Sequence, residues 1–304
     1  MSLLSKCSIF AVCLFLPVFS ALAAEPEVFK TSFDLKSSRP VVDLTINGEG
    51  PFQFVFDTGA DQLFIQKSLV DQLGLKKIGT GWVGSPIGEG FDADRVQVDQ
   101  LSLGGATLHS IEAFVNTMPP HTMGGSVVGV IGPSAFQEFG RVSFDFENGQ
   151  LEIGGSSTES GKEKWIEFGK DAPLLDAKIQ IGDLQIPVHI DTGNPGLMVV
   201  PTKYSTNIPL KSEIRTLGMA RTVDREFAVK GAKVDLDISL GNAQISLTSI
   251  KFFDDIPVGN LGMGALHGLV LEIDWKRLRY RLSGIAKPRE MRKRKRRHDT
   301  IRGA

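Results

Sequence analysis

One phrase of this chain occurs twice, in matching frames. FVFDTGADQLFIQ at 54–66 returns as VHIDTGNPGLMVV at 188–200. From Asp57 to Gly84 is 27 residues, and the step from Asp191 to Gly218 is the same. From Asp57 to Gly132 is 75 residues and from Asp191 to Gly262 is 71. Val130-Ile-Gly-Pro-Ser-Ala-Phe136 answers Asn260-Leu-Gly-Met-Gly-Ala-Leu266, and each leads into a strand-like run ending in an acid, Asp145 or Asp274. Four landmarks in the same order, at nearly the same spacing, indicate internal duplication. The chain must therefore fold into two similar units.

The local pattern says what kind of unit. Val42, Leu44 and Ile46 alternate, Asn47-Gly48-Glu49-Gly50 offers a turn, and a second apolar run follows over 52–56. The same design recurs as Ile179 and Ile181, Gly182-Asp183, then 184–190. Both read as hairpins whose second strand runs into Asp-Thr-Gly. Helical periodicity is scarce; the best candidate covers 66–73 and is ended by Gly74. The body is mainly β. Gly154-Gly-Ser-Ser-Thr-Glu-Ser-Gly-Lys-Glu-Lys164 has the composition of a flexible linker between the halves.

The ends of the chain carry different signals. Lys6 precedes an apolar run over about 7–22 that ends in Ala21-Leu22-Ala23, the layout of a secretory signal peptide. Both cysteines, Cys7 and Cys13, fall inside it, so the exported chain is expected to have neither disulfide nor thiol chemistry. That argues for a bacterial periplasm, with stability drawn from core burial over about 280 residues. From Lys287 onward stand nine bases and two acids; with Lys6 also set aside, 24 bases face 33 acids in the body. The basic run Arg292–Arg297 reads as a solvated, disordered tail, with contact to an anionic membrane surface as the sharper reading. The expected division is a signal peptide (1–23), a first lobe (24–154), a linker (155–165), a second lobe (166–285) and a basic tail (286–304).

Hydrophobic-hydrophobic-Asp-Thr-Gly, a glycine-bearing hairpin and a hydrophobic-Gly phrase before a last strand resemble the aspartic proteases. Each lobe is similar to a retropepsin-like unit, and two per chain resemble the pepsin arrangement, over nearly all of 40–285. The resemblance implies an all-β, bilobal fold of two similar six-stranded-type β-barrel lobes with the active-site cleft between them. It implies that Asp57 and Asp191 are a catalytic pair that shares one proton, because two close carboxyls cannot both ionise easily. One then acts as acid and the other as base toward a water that attacks the peptide carbonyl. Thr58 and Thr192 are expected to cross-link the two loops, and Gly59 and Gly193 to bring backbone amides near the carboxylates. Trp82, Gly84 and Gly218 are the flap candidates; Trp82 reads equally as an anchor for its own hairpin. No cofactor or metal is implied.

Several positions qualify the resemblance. The residue after each Asp-Thr-Gly is Ala60 or Asn194, where pepsin-like chains usually place Ser or Thr. Losing a hydrogen bond to the charged form raises the pair's pKa values, so activity is expected to extend toward neutral pH. Asn194 either donates to the carboxylate or fills a turn with Pro195. His189 shares a strand face with Asp191; His109, His121, His267 and His298 are scattered without metal-ligand spacing. The sequence-level function is an exported aspartic endopeptidase, a monomer acting on polypeptides and not on nucleic acid. The rival readings are a periplasmic peptide-binding or regulatory protein that kept the fold, and a chain in which only the first lobe is catalytic and pairs with a second molecule.

Overall fold

The structure, a computed structural model, describes residues 27–34, 38–84, 90–118, 125–169, 174–221, 226–254 and 256–288. The expected signal peptide, nearly all of the basic tail, His121 and His298 lie outside the described residues. A first strand β1 (Val28–Ser32) precedes the first lobe. That lobe comprises β2 (Val41–Ile46), β3 (Glu49–Phe56), β4 (Phe64–Gln66), helix α1 (Lys67–Leu73), β5 (Lys77–Val83), β6 (Phe91–Leu103), β7 (Ala106–Asn116) and β8 (Val127–Ile131). The hairpin β9 (Arg141–Asp145) and β10 (Gln150–Gly154) follows, then β11 (Ile166–Glu167). The second lobe comprises β12 (Asp176–Ile181), β13 (Leu184–Asp191), β14 (Met198–Pro201), β15 (Arg215–Arg221), β16 (Glu226–Leu240), β17 (Asn242–Phe253), β18 (Gly259–Gly262) and helix α2 (Met263–Leu266). A closing hairpin is made by β19 (Val270–Asp274) and β20 (Arg279–Ile285).

The first lobe is a closed six-stranded barrel in the order β2-β3-β8-β4-β7-β6. The ring shuts where Thr45 and Ile46 pair with Ser102 and Leu101, which leaves no open edge in the ring. Strand alternation fills it: Leu44, Ile46, Val96, Val98, Leu101 and Leu103 are all buried. The β2–β3 turn is made by Asn47 and Gly48, both at positive φ, the conformation a two-residue hairpin favours. Helix α1 ends where Gly74 turns left-handed at φ 60. The residue before the first Asp-Thr-Gly, Phe56, packs its ring against Phe136 and Phe144 at 5.7 and 5.0 Å. The start of that loop is thereby anchored in an aromatic core.

The second lobe repeats the order as β12-β13-β18-β14-β17-β16. Here β12 and β16 pack side by side without a ladder between them among the described residues. In each lobe one hairpin extends beyond the ring, β5 on β6 and β15 on β16. The lobes are joined by a shared sheet, β1-β10-β9-β19-β20, with β11 added on β20. Its centre is the antiparallel pair β9 and β19, with Val142 opposite Ile273. The linker is fastened to this sheet: Trp165 lies beneath the guanidinium groups of Arg279 and Arg281 at 4.1 and 4.8 Å. Glu163 pairs with Arg281 at 3.4 Å, and Glu159 with Arg277 and Arg279.

Candidate active site

The two Asp-Thr-Gly loops leave the ends of β3 and β13, each a strand flanked on both sides within its lobe. They meet at the junction of the lobes and are cross-linked there by their threonines. Thr58 Oγ1 donates to Ile190 O at 2.7 Å and accepts from the Thr192 amide at 3.1 Å. Thr192 Oγ1 donates to Phe56 O at 2.8 Å and accepts from the Thr58 amide at 3.0 Å. Both side chains are fully buried. Each hydroxyl therefore satisfies one donor and one acceptor of the opposite loop that water cannot reach.

The glycines are required by space rather than by φ. A Cβ on Gly59 would lie 2.8 Å from the Asp191 carboxyl carbon, and one on Gly193 would lie 2.1 Å from Asp57 Oδ2. Each glycine thus gives the opposite lobe's carboxylate room to approach. Gly132 and Gly262 hold the loops from below in the same way. A Cβ at Gly132 would fall 1.9 Å from Ala60 O, and one at Gly262 would fall 2.4 Å from Gly196 O.

The carboxylates are unequally held. Asp57 Oδ1 accepts from the amides of Gly59 at 2.8 Å and Gly193 at 3.0 Å, so one donor comes from each lobe. Burial, above all, and then the Asp191 charge push the Asp57 carboxyl well above the usual aspartate range; a hydrogen bond shared with Asp191 adds to this, and the two amides oppose it. Asp191 accepts from the Asn194 amide at 2.9 Å through Oδ1 and from the Asn260 side chain through Oδ2.

Asn260 has no counterpart in the first lobe, where Val130 occupies the matching place. Its orientation is set by a chain of amides. The Gly196 amide donates to Asn194 Oδ1 at 2.9 Å, so Asn194 Nδ2 faces Asn260 Oδ1 at 2.6 Å. That leaves Asn260 Nδ2 to face Asp191. Asn194 therefore fills the turn, and its side-chain amide goes to Asn260 rather than to the carboxylate. Its backbone amide reaches the carboxylate, while its side chain makes the turn and acts on Asp191 through Asn260. Sequence reasoning missed Asn260; the one signal was a polar residue in the second hydrophobic-Gly phrase where the first has Val130.

His189 contacts Asp176, its cross-strand neighbour on β12. Trp82 is 61% exposed on β5 and does not anchor its hairpin in the core; its ring covers Gly90, where a Cβ would stand 2.7 Å away. Gly84 follows β5, where a Cβ would meet nothing within 4 Å among the described residues, and Gly218 lies in β15 beside a bulge between Thr216 and Gly218. Leu217 and Met219 on either side are 52% and 60% exposed. Both lobes thus carry a projecting hairpin with exposed apolar side chains.

Residues 42–135 match the sequence model of a family described as aspartyl protease. The match runs from β2 to the turn after β8 and includes Asp57, Thr58, Gly59 and Gly132. No curated protein matches the chain. The closed six-stranded barrel and the match over 42–135 together set the first lobe among the aspartyl proteases.

Proposed function

We propose that this protein is an exported aspartic endopeptidase that cleaves polypeptides as a monomer, with Asp57 and Asp191 as its water-activating pair. The observation that carries this reading is the fit of each carboxylate into the space left by the other lobe's glycine. Asp57, pushed up by burial and by its neighbour, suits the member that holds the proton. Asp191, with a hydrogen-bond donor on each oxygen, suits the charged member. A water between them gives a proton to Asp191 as its oxygen attacks the peptide carbonyl carbon, and the carbonyl oxygen takes the Asp57 proton. When the tetrahedral diol collapses, the C–N bond breaks. The leaving nitrogen takes the proton from Asp191, and one diol hydroxyl returns its proton to Asp57. The pair ends as it began.

The two projecting hairpins suit a substrate held as an extended strand and covered from both lobes. The leader-like apolar run over 7–22 supports export to a periplasm, and the basic run at 292–297 supports contact of the tail with an anionic surface. Digestion of a denatured-protein peptide library across pH 3–8, read by mass spectrometry, tests the proteolytic reading: new peptide ends support it, and none after long incubation sinks it.

The pH profile has its own expectation. A raised Asp57 keeps the shared proton as pH climbs, so the alkaline limb moves up and cleavage persists toward neutral pH. Asn260→Leu removes a hydrogen bond that favours the pair's negative charge. The acid limb should therefore rise by about one to two pH units, since a bond to a charged group contributes ~1.5–3 kcal/mol. A profile confined to strongly acidic pH, or one unmoved by Asn260→Leu, contradicts this.

A further inference from the structure

The register that makes the lobes alike also shows where their cleft walls differ. Val199 on β14 pairs with Lys251 on β17 and with Asn260 on β18. Phe64 on β4 has the same place in the first lobe, paired with Phe114 on β7 and Val130 on β8. Two apolar positions of the first wall are thus Lys251 and Asn260 in the second. Phe114 lies under the β5 hairpin, where a Cβ on Gly81 would come 3.0 Å from its ring, and it packs with Val83, Ala93 and Phe64. Lys251 lies in the matching angle of the second lobe. Its cross-strand partner on β16 is Gly231, which Leu217 of the β15 hairpin covers, and its Nζ stands 3.5 Å from where a Cβ on Gly196 would be. The Gly196 amide is the one that orients Asn194, so this ammonium borders the loop that carries Asp191.

A cation in that place is uncomfortable alone. Lys251 is only partly exposed, and burial lowers its pKa from the usual lysine value. The body is rich in acids, yet among the described residues no carboxylate pairs with Lys251. Asp254, three residues along the chain, is taken by Lys230 at 3.2 Å. The first lobe has the buried ring of Phe114 at the same level, and the second has an unanswered ammonium on a flexible stem.

We propose that Lys251 is a specificity-determining residue that pairs with a carboxylate of the bound peptide on the second-lobe side of the cleft. This deepens the proteolytic reading and rests on it. The carboxylate comes either from an Asp or Glu side chain or from the C-terminus of the substrate chain. Either would form a charge-assisted hydrogen bond in a partly buried place.

The test has two arms. In the first, matched peptides carrying Glu or Gln at one position, each as the free acid and the C-terminal amide, are titrated against Asp57→Asn protein with Lys251, Lys251→Met or Lys251→Arg. Lys251→Met keeps the length and shape of the stem, and Lys251→Arg keeps the charge. In the second, wild-type protein digests the same peptides. The expected result is a Glu-over-Gln preference of about tenfold or more at one position, as a hydrogen bond between charged groups supplies. Lys251→Met should abolish it and Lys251→Arg should retain part of it. A Lys251-dependent preference for the free acid over the amide would assign the same pairing to the chain end. Equal binding of all four peptides, or a preference that survives Lys251→Met, overturns the role of Lys251. Cleavage by wild type without any such preference does so while sparing the proteolytic reading. A Lys251-dependent preference without cleavage overturns proteolysis and leaves the carboxylate site standing.

Discussion

Asp57→Asn is expected to lower peptide cleavage by roughly ten-thousand-fold, at the upper end of what a positioned acid–base group contributes, while leaving the fold intact. The asparagine fills the same space and keeps an oxygen for the Gly59 and Gly193 amides. Linkage fixes the sign of the stability change. Asp57 has a raised pKa in the folded chain, so its contribution to stability is present at low pH and fades as pH rises through that raised value. A neutral amide has no such loss. Asp57→Asn should therefore match or exceed wild type in thermal stability at neutral pH, and its advantage should vanish in acid. Retained cleavage would remove Asp57 from the chemistry, and a collapse in stability at neutral pH would contradict its placement beside a second carboxylate.

The second large effect concerns the threonine cross-link. Thr58→Val or Thr192→Val keeps the side-chain shape but removes a hydroxyl that serves a buried amide and a buried carbonyl of the other loop. Leaving a buried polar group unsatisfied costs about 1–3 kcal/mol, and each substitution leaves two, so it should cost roughly 2–6 kcal/mol. That is a large share of the ~5–15 kcal/mol typical of a folded domain. Thr→Ser at either site keeps the hydroxyl and loses only a methyl, at about 1 kcal/mol. Because the two hydroxyls serve one junction, the double valine variant should lose less than the sum of the singles. Chemical denaturation of the five variants beside wild type decides it. Valine variants as stable as the serine variants would mean that the two hydroxyls do not satisfy the buried groups of the junction.

Much of this site can be read from the repeated phrase alone. Asp57, Asp191, Thr58, Thr192, Gly59 and Gly193 are adjacent in sequence, and a duplicated frame says that the copies face each other. What is hidden depends on which strands lie side by side. Asn260 reads as ordinary variation in a hydrophobic-Gly phrase until β18 is seen between β13 and β14. His189 shares a face with Asp191 by alternation, but Asp176 on the neighbouring strand claims its ring. Lys251 is one lysine among many until its register with Val199 sets it where Phe114 stands in the other lobe. The linker shows the limit of composition: its Gly and Ser residues suggest freedom, while Glu159, Glu163 and Trp165 bind three arginines more than a hundred residues away. Likewise, the strands ending in Asp145 and Asp274 are legible as strands, but their pairing across the lobes is not.

The central claim is that one chain supplies both halves of one catalytic site. It is tested most directly by counting new peptide ends released from one library by wild type, Asp57→Asn, Asp191→Asn and an equimolar mixture of the two variants. The expected result is cleavage by wild type, at a rate linear in protein concentration, and none by either variant or by their mixture. Activity restored in the mixture would mean that the site is assembled between molecules, and cleavage by either variant alone would mean that the pair is not the catalyst.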